Sequence, residues 1–177
     1  MNRPVMSAAI SVAMLPDVDA LFLRFVPYNH PFGHRGMTHS LVFASAVGCV
    51  LAALFSRARW SGRHSFVLLA VFFTLVTASH GFFDAMTDGG LGVAFFWPFD
   101  NSRYFLPWRP IPVSPLSASA LLSPRGLRVV RWEIGLFWTF AAAAALWDKR
   151  RMWRAIVAGV CLIAGLAMWM WALTEGA

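Results

Sequence analysis

The sequence predicts an all-α integral membrane protein, a helical bundle of about four to five apolar helices with a long interfacial loop. Three observations predict it. The chain is 59% hydrophobic over 177 residues. Charged residues make up 13%, where a soluble domain carries about 25%. Apolar runs of helical length recur, separated by short gaps rich in arginine, glycine or proline. With a mean hydropathy of +0.62, this composition fits a membrane protein better than a large soluble core. One membrane-embedded domain is expected over 1–177.

The first segment, 1–26, is apolar up to Leu15 and interrupted by Pro16-Asp17-Val18-Asp19. Proline stops or bends a helix, so the first helix is expected to be short, below the ~20 residues that cross a bilayer. Residues 27–36 carry prolines and glycines and read as a loop. A membrane helix is expected over 38–55 with Thr38 as its N-cap, and a second over 65–86. Asp88-Gly89-Gly90 ends the second. The segment 87–131 contains six prolines (98, 107, 110, 112, 115 and 124). It reads as an interfacial loop, with Trp97, Tyr104 and Trp108 at headgroup depth. Further helices are expected over 132–147 and 155–173.

Two short basic loops, 56–64 and 148–154, contain Arg57, Arg59, Arg63, Lys149, Arg150, Arg151 and Arg154. By the positive-inside rule they face the cytoplasm, against Arg103, Arg109, Arg125, Arg128 and Arg131 on the opposite side, which sit in a long segment where the rule counts less. The net charge of +7 is thus assigned to topology and lipid headgroups. Nucleic acid is not favoured as a partner, because Lys149 is the only lysine and the arginines sit between apolar runs. Cys49 and Cys161 each lie inside an apolar run, far from any metal-binding spacing, and read as buried small hydrophobes. No signal peptide of the usual form is recognised, since Asp17 and Asp19 interrupt the leading apolar stretch.

Ionisable residues at membrane depth are costly and mark function. Here they gather in three stretches: Asp17 and Asp19; His34, Arg35 and His39; His80 and Asp84. His80 and Asp84 are four apart on a helix and share a face. His34 and His39 flank the entry to another helix. Asp17 and Asp19 would face one way from a short extended stretch, where alternate residues share a side. Imidazoles and carboxylates together suit a divalent metal: zinc first, with manganese or iron as alternatives. The bland readings stand beside this. A histidine in an apolar helix can be helix–helix glue, an aspartate after proline a turn residue, and Arg35 a snorkelling side chain. His30 lies on the same side, and His64 falls in a basic loop.

Leu15-Pro16-Asp17-Val18-Asp19, His34-Arg35-Gly36-Met37-Thr38-His39-Ser40 and Ser79-His80-Gly81-Phe82-Phe83-Asp84, with Phe96-Trp97-Pro98 after them, resemble the signature blocks of the bacterial membrane-bound metal-dependent hydrolases. That family is described as LexA-regulated and is distantly similar to zinc-dependent phospholipases C and single-strand nucleases. The likeness covers roughly 15–115. It implies Asp17, Asp19, His34, His39, His80 and Asp84 as metal ligands, and phosphoester hydrolysis as the reaction. The chain departs from the pattern at its start. It has no histidine before His30, which implies either a truncated first helix or one ligand fewer.

The expected activity is hydrolysis of a lipid or lipid-linked phosphoester by a metal-activated water. Arg35 would hold a phosphate oxygen, and Asp19 and His39 would take part in catalysis. The expected location is the bacterial inner membrane, multi-pass, with membrane lipid as partner and the metal site facing outward. The alternative is a non-enzymatic membrane protein, either a metal-stabilised scaffold or an ion or proton pathway. A pathway needs polar residues along the helices. Between 41 and 55 only Ser45 and Cys49 qualify, and between 66 and 78 only Thr74 and Thr77.

Overall fold

The computed structural model describes residues 3–57, 66–115, 118–139 and 152–174. The described residues are helical, without strands; one isolated antiparallel bridge joins Val93 and Tyr104. They fall into two compact units, Met1–Pro110 and Ile111–Ala177.

In the first unit, helix α1 spans Arg3–Ala13 and passes into a 3-10 helix over Leu15–Phe22. A short 3-10 turn, Met37–His39, precedes helix α2 (Leu41–Arg57), and helix α3 runs Phe66–Ala85. The buried residues of α1, Val5, Ala9 and Val12, recur every three or four positions and so line one face. They pack on Leu69 and Phe73 of α3 and Ala52 of α2. On α3 the buried stripe runs Leu69, Phe73, Thr77, Gly81, Ala85 at steady intervals of four. In lipid, helices gain little from hiding apolar surface, so close packing across small residues holds them together. Gly48 serves this between α2 and α3: a Cβ there would stand 2.8 Å from the Ala70 carbonyl oxygen.

The outward faces are apolar. Ile10, Val50, Leu54, Val67, Leu68, Val71 and Leu75 are all exposed, the inverse of a soluble bundle and the pattern a lipid solvent selects. Two helical segments, Arg3–Phe22 and Phe66–Ala85, each of 20 residues, are long and apolar enough to cross a membrane. Leu41–Ser56 and Ile156–Ala167 are shorter apolar helices.

Three expectations are revised here. Cys49 is exposed, not buried, on the apolar outer surface of α2. Thr38 does not cap α2. Ser40, in extended conformation, accepts the Phe43 N–H at 3.1 Å, because Thr38 sits inside the preceding 3-10 turn with its hydroxyl turned elsewhere. Nor is 87–131 a loop throughout, since the second unit begins helix formation inside it. Helix α4 covers Ala118–Leu121 and α5 covers Pro124–Glu133. Pro124 is tolerated because it occupies the first turn, where no N–H is needed, and the Ser123 hydroxyl accepts from the Gly126 N–H. Helix α5 continues as a π-turn, Ile134–Trp138, and α6 spans Met152–Thr174. Trp132 packs edge-on against Phe137 and Trp169 within this unit.

Arg59, Arg63, Lys149, Arg150 and Arg151, on which the orientation argument rests, lie outside the described residues, as does His64. So does the last part of the helix expected over 132–147.

Candidate metal centre

The site lies where α1, α3 and the 27–40 segment meet within the first unit. Pro16, in the first turn of its 3-10 helix, sets the local geometry. Asp17 and Asp19 therefore do not come from an extended stretch. With about three residues per turn, side chains two apart diverge by about 120°. The two carboxylates thus enter the site from different directions. Asp17 Oδ1 lies 3.2 Å from His80 Nε2 and 3.7 Å from His39 Nε2. Asp19 Oδ1 meets His34 Nδ1 at 2.6 Å, while its Oδ2 lies 3.2 Å from His39 Nδ1.

Residues 27–40 reach the site through consecutive tight turns, with Gly33 N–H bonded to His30, Gly36 N–H to Gly33, and His39 N–H to Gly36. Arg35 holds φ +62°, a left-handed conformation that costs a non-glycine residue about 1–2 kcal/mol. Its surroundings impose it. The Arg35 N–H donates to Asp19 Oδ2 at 3.2 Å, and its carbonyl accepts from Ala94 N–H at 3.0 Å. Its guanidinium is buried: Nη2 pairs with Asp84 Oδ1 at 2.9 Å, and Nη1 donates to Thr87 Oγ1 at 2.9 Å and to the Gly89 carbonyl at 3.2 Å. The side chain expected to hold a phosphate oxygen is thus engaged in holding Asp84.

His80 and Asp84 share one face of α3, as their spacing requires. His80 Nδ1 lies 2.8 Å from the Ala13 carbonyl at the end of α1. A carbonyl only accepts, so Nδ1 carries a proton, and Nε2 is turned toward Asp17 at 3.2 Å. Gly81 lets α3 approach, since a Cβ there would stand 3.0 Å from the His39 carbonyl oxygen.

Two overlapping groups result: Asp17, His39, His80 and Asp84, and Asp19, His34 and His39. In the first, neighbouring ligand atoms are 3.0 Å (His39–Asp84), 3.2 Å (His80–Asp17) and 3.7 Å (His39–Asp17 and His80–Asp84) apart. A tetrahedral zinc with bonds near 2.0–2.1 Å separates its ligands by about 3.3 Å. His39 Nε2 and Asp84 Oδ2 are buried 3.0 Å from each other, with no partner outside the imidazole–carboxylate cluster, a distance at which a proton or a divalent ion can join them. The residues fit a divalent ion. His39, with a fully buried side chain, has its pKa pushed up to about 10. Burial works against the charge, but Asp17, Asp19 and Asp84 outweigh it.

All six residues expected as ligands are therefore brought together. His30 is not: it is exposed and its Nδ1 accepts from the Phe32 N–H. Reading the sequence missed Thr38, whose hydroxyl donates to Asp19, and Thr87. It also missed Arg103, which donates to the carbonyls of His34 at 2.8 Å and of Tyr28 and His30 at 3.0 Å. Only its place among aromatics in a proline-rich stretch marked Arg103, and that pointed to the membrane interface.

The chain is 40% identical over 147 residues to the inner membrane protein YbcI of Escherichia coli (strain K12), covering 81% of this chain and 83% of that one. No solved structure matches it. The family model described as YdjM inner membrane protein matches residues 2–173, and the chain belongs to that inner membrane protein family.

Proposed function

We propose that this protein is a membrane-embedded hydrolase that cleaves a lipid or lipid-linked phosphoester at a divalent metal centre, with zinc the ion of choice. The observation that carries the reading is the pair of buried atoms His39 Nε2 and Asp84 Oδ2, 3.0 Å apart and without a partner outside the cluster. Asp17 and His80 complete a four-ligand set around them. An ion held there supplies Lewis acidity and a water made acidic enough to attack near neutral pH. The resemblance to metal-dependent hydrolases supports the same reaction class.

The chain's own residues divide the remaining work. Asp17 is the open ligand, its side chain 52% exposed against 4% for Asp19, so substrate approaches from the Asp17 side. Arg35 fixes one oxygen of Asp84 and leaves the other aimed into the site. Asp19 is enclosed and acts through its neighbours rather than on substrate. Exposed Phe22 and Phe25 follow the aspartate turn, and exposed Phe82 and Phe83 lie between His80 and Asp84. Large apolar side chains beside an acidic and basic cluster suit a substrate with an acyl or polyprenyl portion. The site is assigned to the outer face of the inner membrane, opposite the short basic loops.

The test uses detergent-purified protein with a chromogenic phosphodiester and with mixed phospholipid micelles. Turnover should vanish on chelation, return with zinc, and be lost in His80→Ala and Asp84→Asn. A zinc-loaded protein that hydrolyses neither substrate class, or one indifferent to chelation, would sink the proposal.

A further inference from the structure

The two overlapping ligand groups invite a two-ion centre, yet their hydrogen-bond states differ. Building on the metal-centre reading above, we infer that the site holds one ion, and that Asp19 and His34 are positioning residues behind it. Asp19 is engaged on both carboxylate oxygens. Its Oδ1 faces His34 Nδ1 at 2.6 Å. Its Oδ2 accepts the Arg35 backbone N–H at 3.2 Å and the Thr38 hydroxyl, and faces His39 Nδ1 at 3.2 Å. Each carboxylate oxygen has about two lone-pair positions; the Arg35 N–H, the Thr38 hydroxyl and His39 Nδ1 crowd those of Oδ2, while His34 Nδ1 lies tight against Oδ1. The peptide N–H of Arg35 cannot be deprotonated or turned away, because its φ and its carbonyl are both fixed. An ion placed between Asp19, His34 and His39 would meet hydrogens where it needs lone pairs. Asp19, His34 and His39 are all buried, so no half-open ligand like Asp17 leads into this second group.

The other group has the opposite character. No backbone N–H or hydroxyl donates to Asp84 Oδ2, which faces His39 Nε2 at 3.0 Å and His80 Nε2 at 3.7 Å, and Asp17 opens the group to the outside. The histidines show how it is prepared. His80 is tied at Nδ1 to the Ala13 carbonyl, and His39 at Nδ1 to Asp19. Each thereby turns Nε2 toward Asp17 and Asp84. A ligating histidine whose other nitrogen is held by a carboxylate or carbonyl is the usual support behind a metal. Asp19 plays that part for His39, and His34 buttresses Asp19, its own carbonyl held by Arg103.

Zinc content of the purified wild type, measured by plasma mass spectrometry after removal of loose ions, tests this without any variant. One zinc per chain is expected. Asp19→Asn, checked for native helicity and unfolding temperature, should still bind one zinc, about 10–100-fold more weakly. Asp84→Asn should lose it. Two ions in the wild type falling to one in Asp19→Asn would overturn the inference while leaving the metal centre standing. A folded Asp19→Asn with wild-type zinc affinity would also overturn it. No ion in the wild type would overturn both readings.

Discussion

Arg35→Met removes the charge that holds Asp84 and keeps much of the side-chain volume. The Arg35 and Asp84 side chains are 5% and 17% exposed, so the pair is a buried one. Removing one partner of a buried ion pair costs about 3–5 kcal/mol, whereas an exposed pair is worth about 0–1 kcal/mol. Asp84 keeps some contact with solvent, which argues for the lower end, about 3 kcal/mol. The Met variant keeps the strained backbone, so no relief of φ offsets the loss. For a chain of this size, a loss of about 3 kcal/mol lowers the unfolding temperature by about 6–12 °C. The assay is thermal unfolding in detergent with chelator present, followed by circular dichroism. Arg35→Lys should fall between, because one ammonium cannot serve Asp84, Thr87 and Gly89 as the guanidinium fork does. In an Asp84→Asn background the Arg35→Met effect should shrink, since the charge it served is gone. Arg35→Met unfolding within a degree of wild type under these conditions would refute the brace and return Arg35 to a role in substrate binding.

Two further predictions follow from the same site and from the basic loops. His39 must lose its Nε2 proton to accept an ion, and its pKa in the ion-free protein is about 10. Zinc affinity should therefore rise about tenfold per pH unit between pH 7 and 9 through this group. The stability of the ion-free protein should move the other way. A raised folded-state pKa stabilises fully below the unfolded value of 6.5, and that contribution is lost as pH climbs towards 10. Zinc titration calorimetry across buffers reads the first trend and unfolding in chelator the second; a flat zinc affinity from pH 7 to 9 would contradict the assignment. For topology, Ser61→Cys in a background lacking Cys49 and Cys161 should react with an impermeant thiol reagent only after cell lysis. Labelling in intact cells would reverse the orientation and put the metal centre on the cytoplasmic side.

How much of this was legible in the chain depends on what each residue's role rests on. Helix α3 was legible almost to the residue, Phe66–Ala85 against an expected 65–86, because a long apolar run ended by glycines leaves few alternatives. The face shared by His80 and Asp84 was legible too, being a property of helical pitch. The six ligand candidates were legible as residue types gathered at the ends of apolar runs, where ionisable groups are costly without a purpose. What stayed hidden is the division of labour among them. Asp17 and Asp19 are the same amino acid two positions apart, and only the 3-10 pitch set by Pro16 sends one to the open side and the other inward. Thr38 was expected as the cap of α2, but its hydroxyl goes to Asp19 and Ser40 caps instead. Arg35 carries a full charge beside an expected phosphate site. Its partners Asp84, Thr87 and Gly89 lie about fifty positions away, beyond any local pattern. A carboxylate or imidazole becomes a ligand only if the fold leaves its lone pairs untaken. That condition depends on every donor within reach, including backbone N–H groups that look the same in any sequence. At this site it separates Asp84 Oδ2, which no backbone N–H or hydroxyl reaches, from Asp19 Oδ2, which the Arg35 N–H and the Thr38 hydroxyl both occupy.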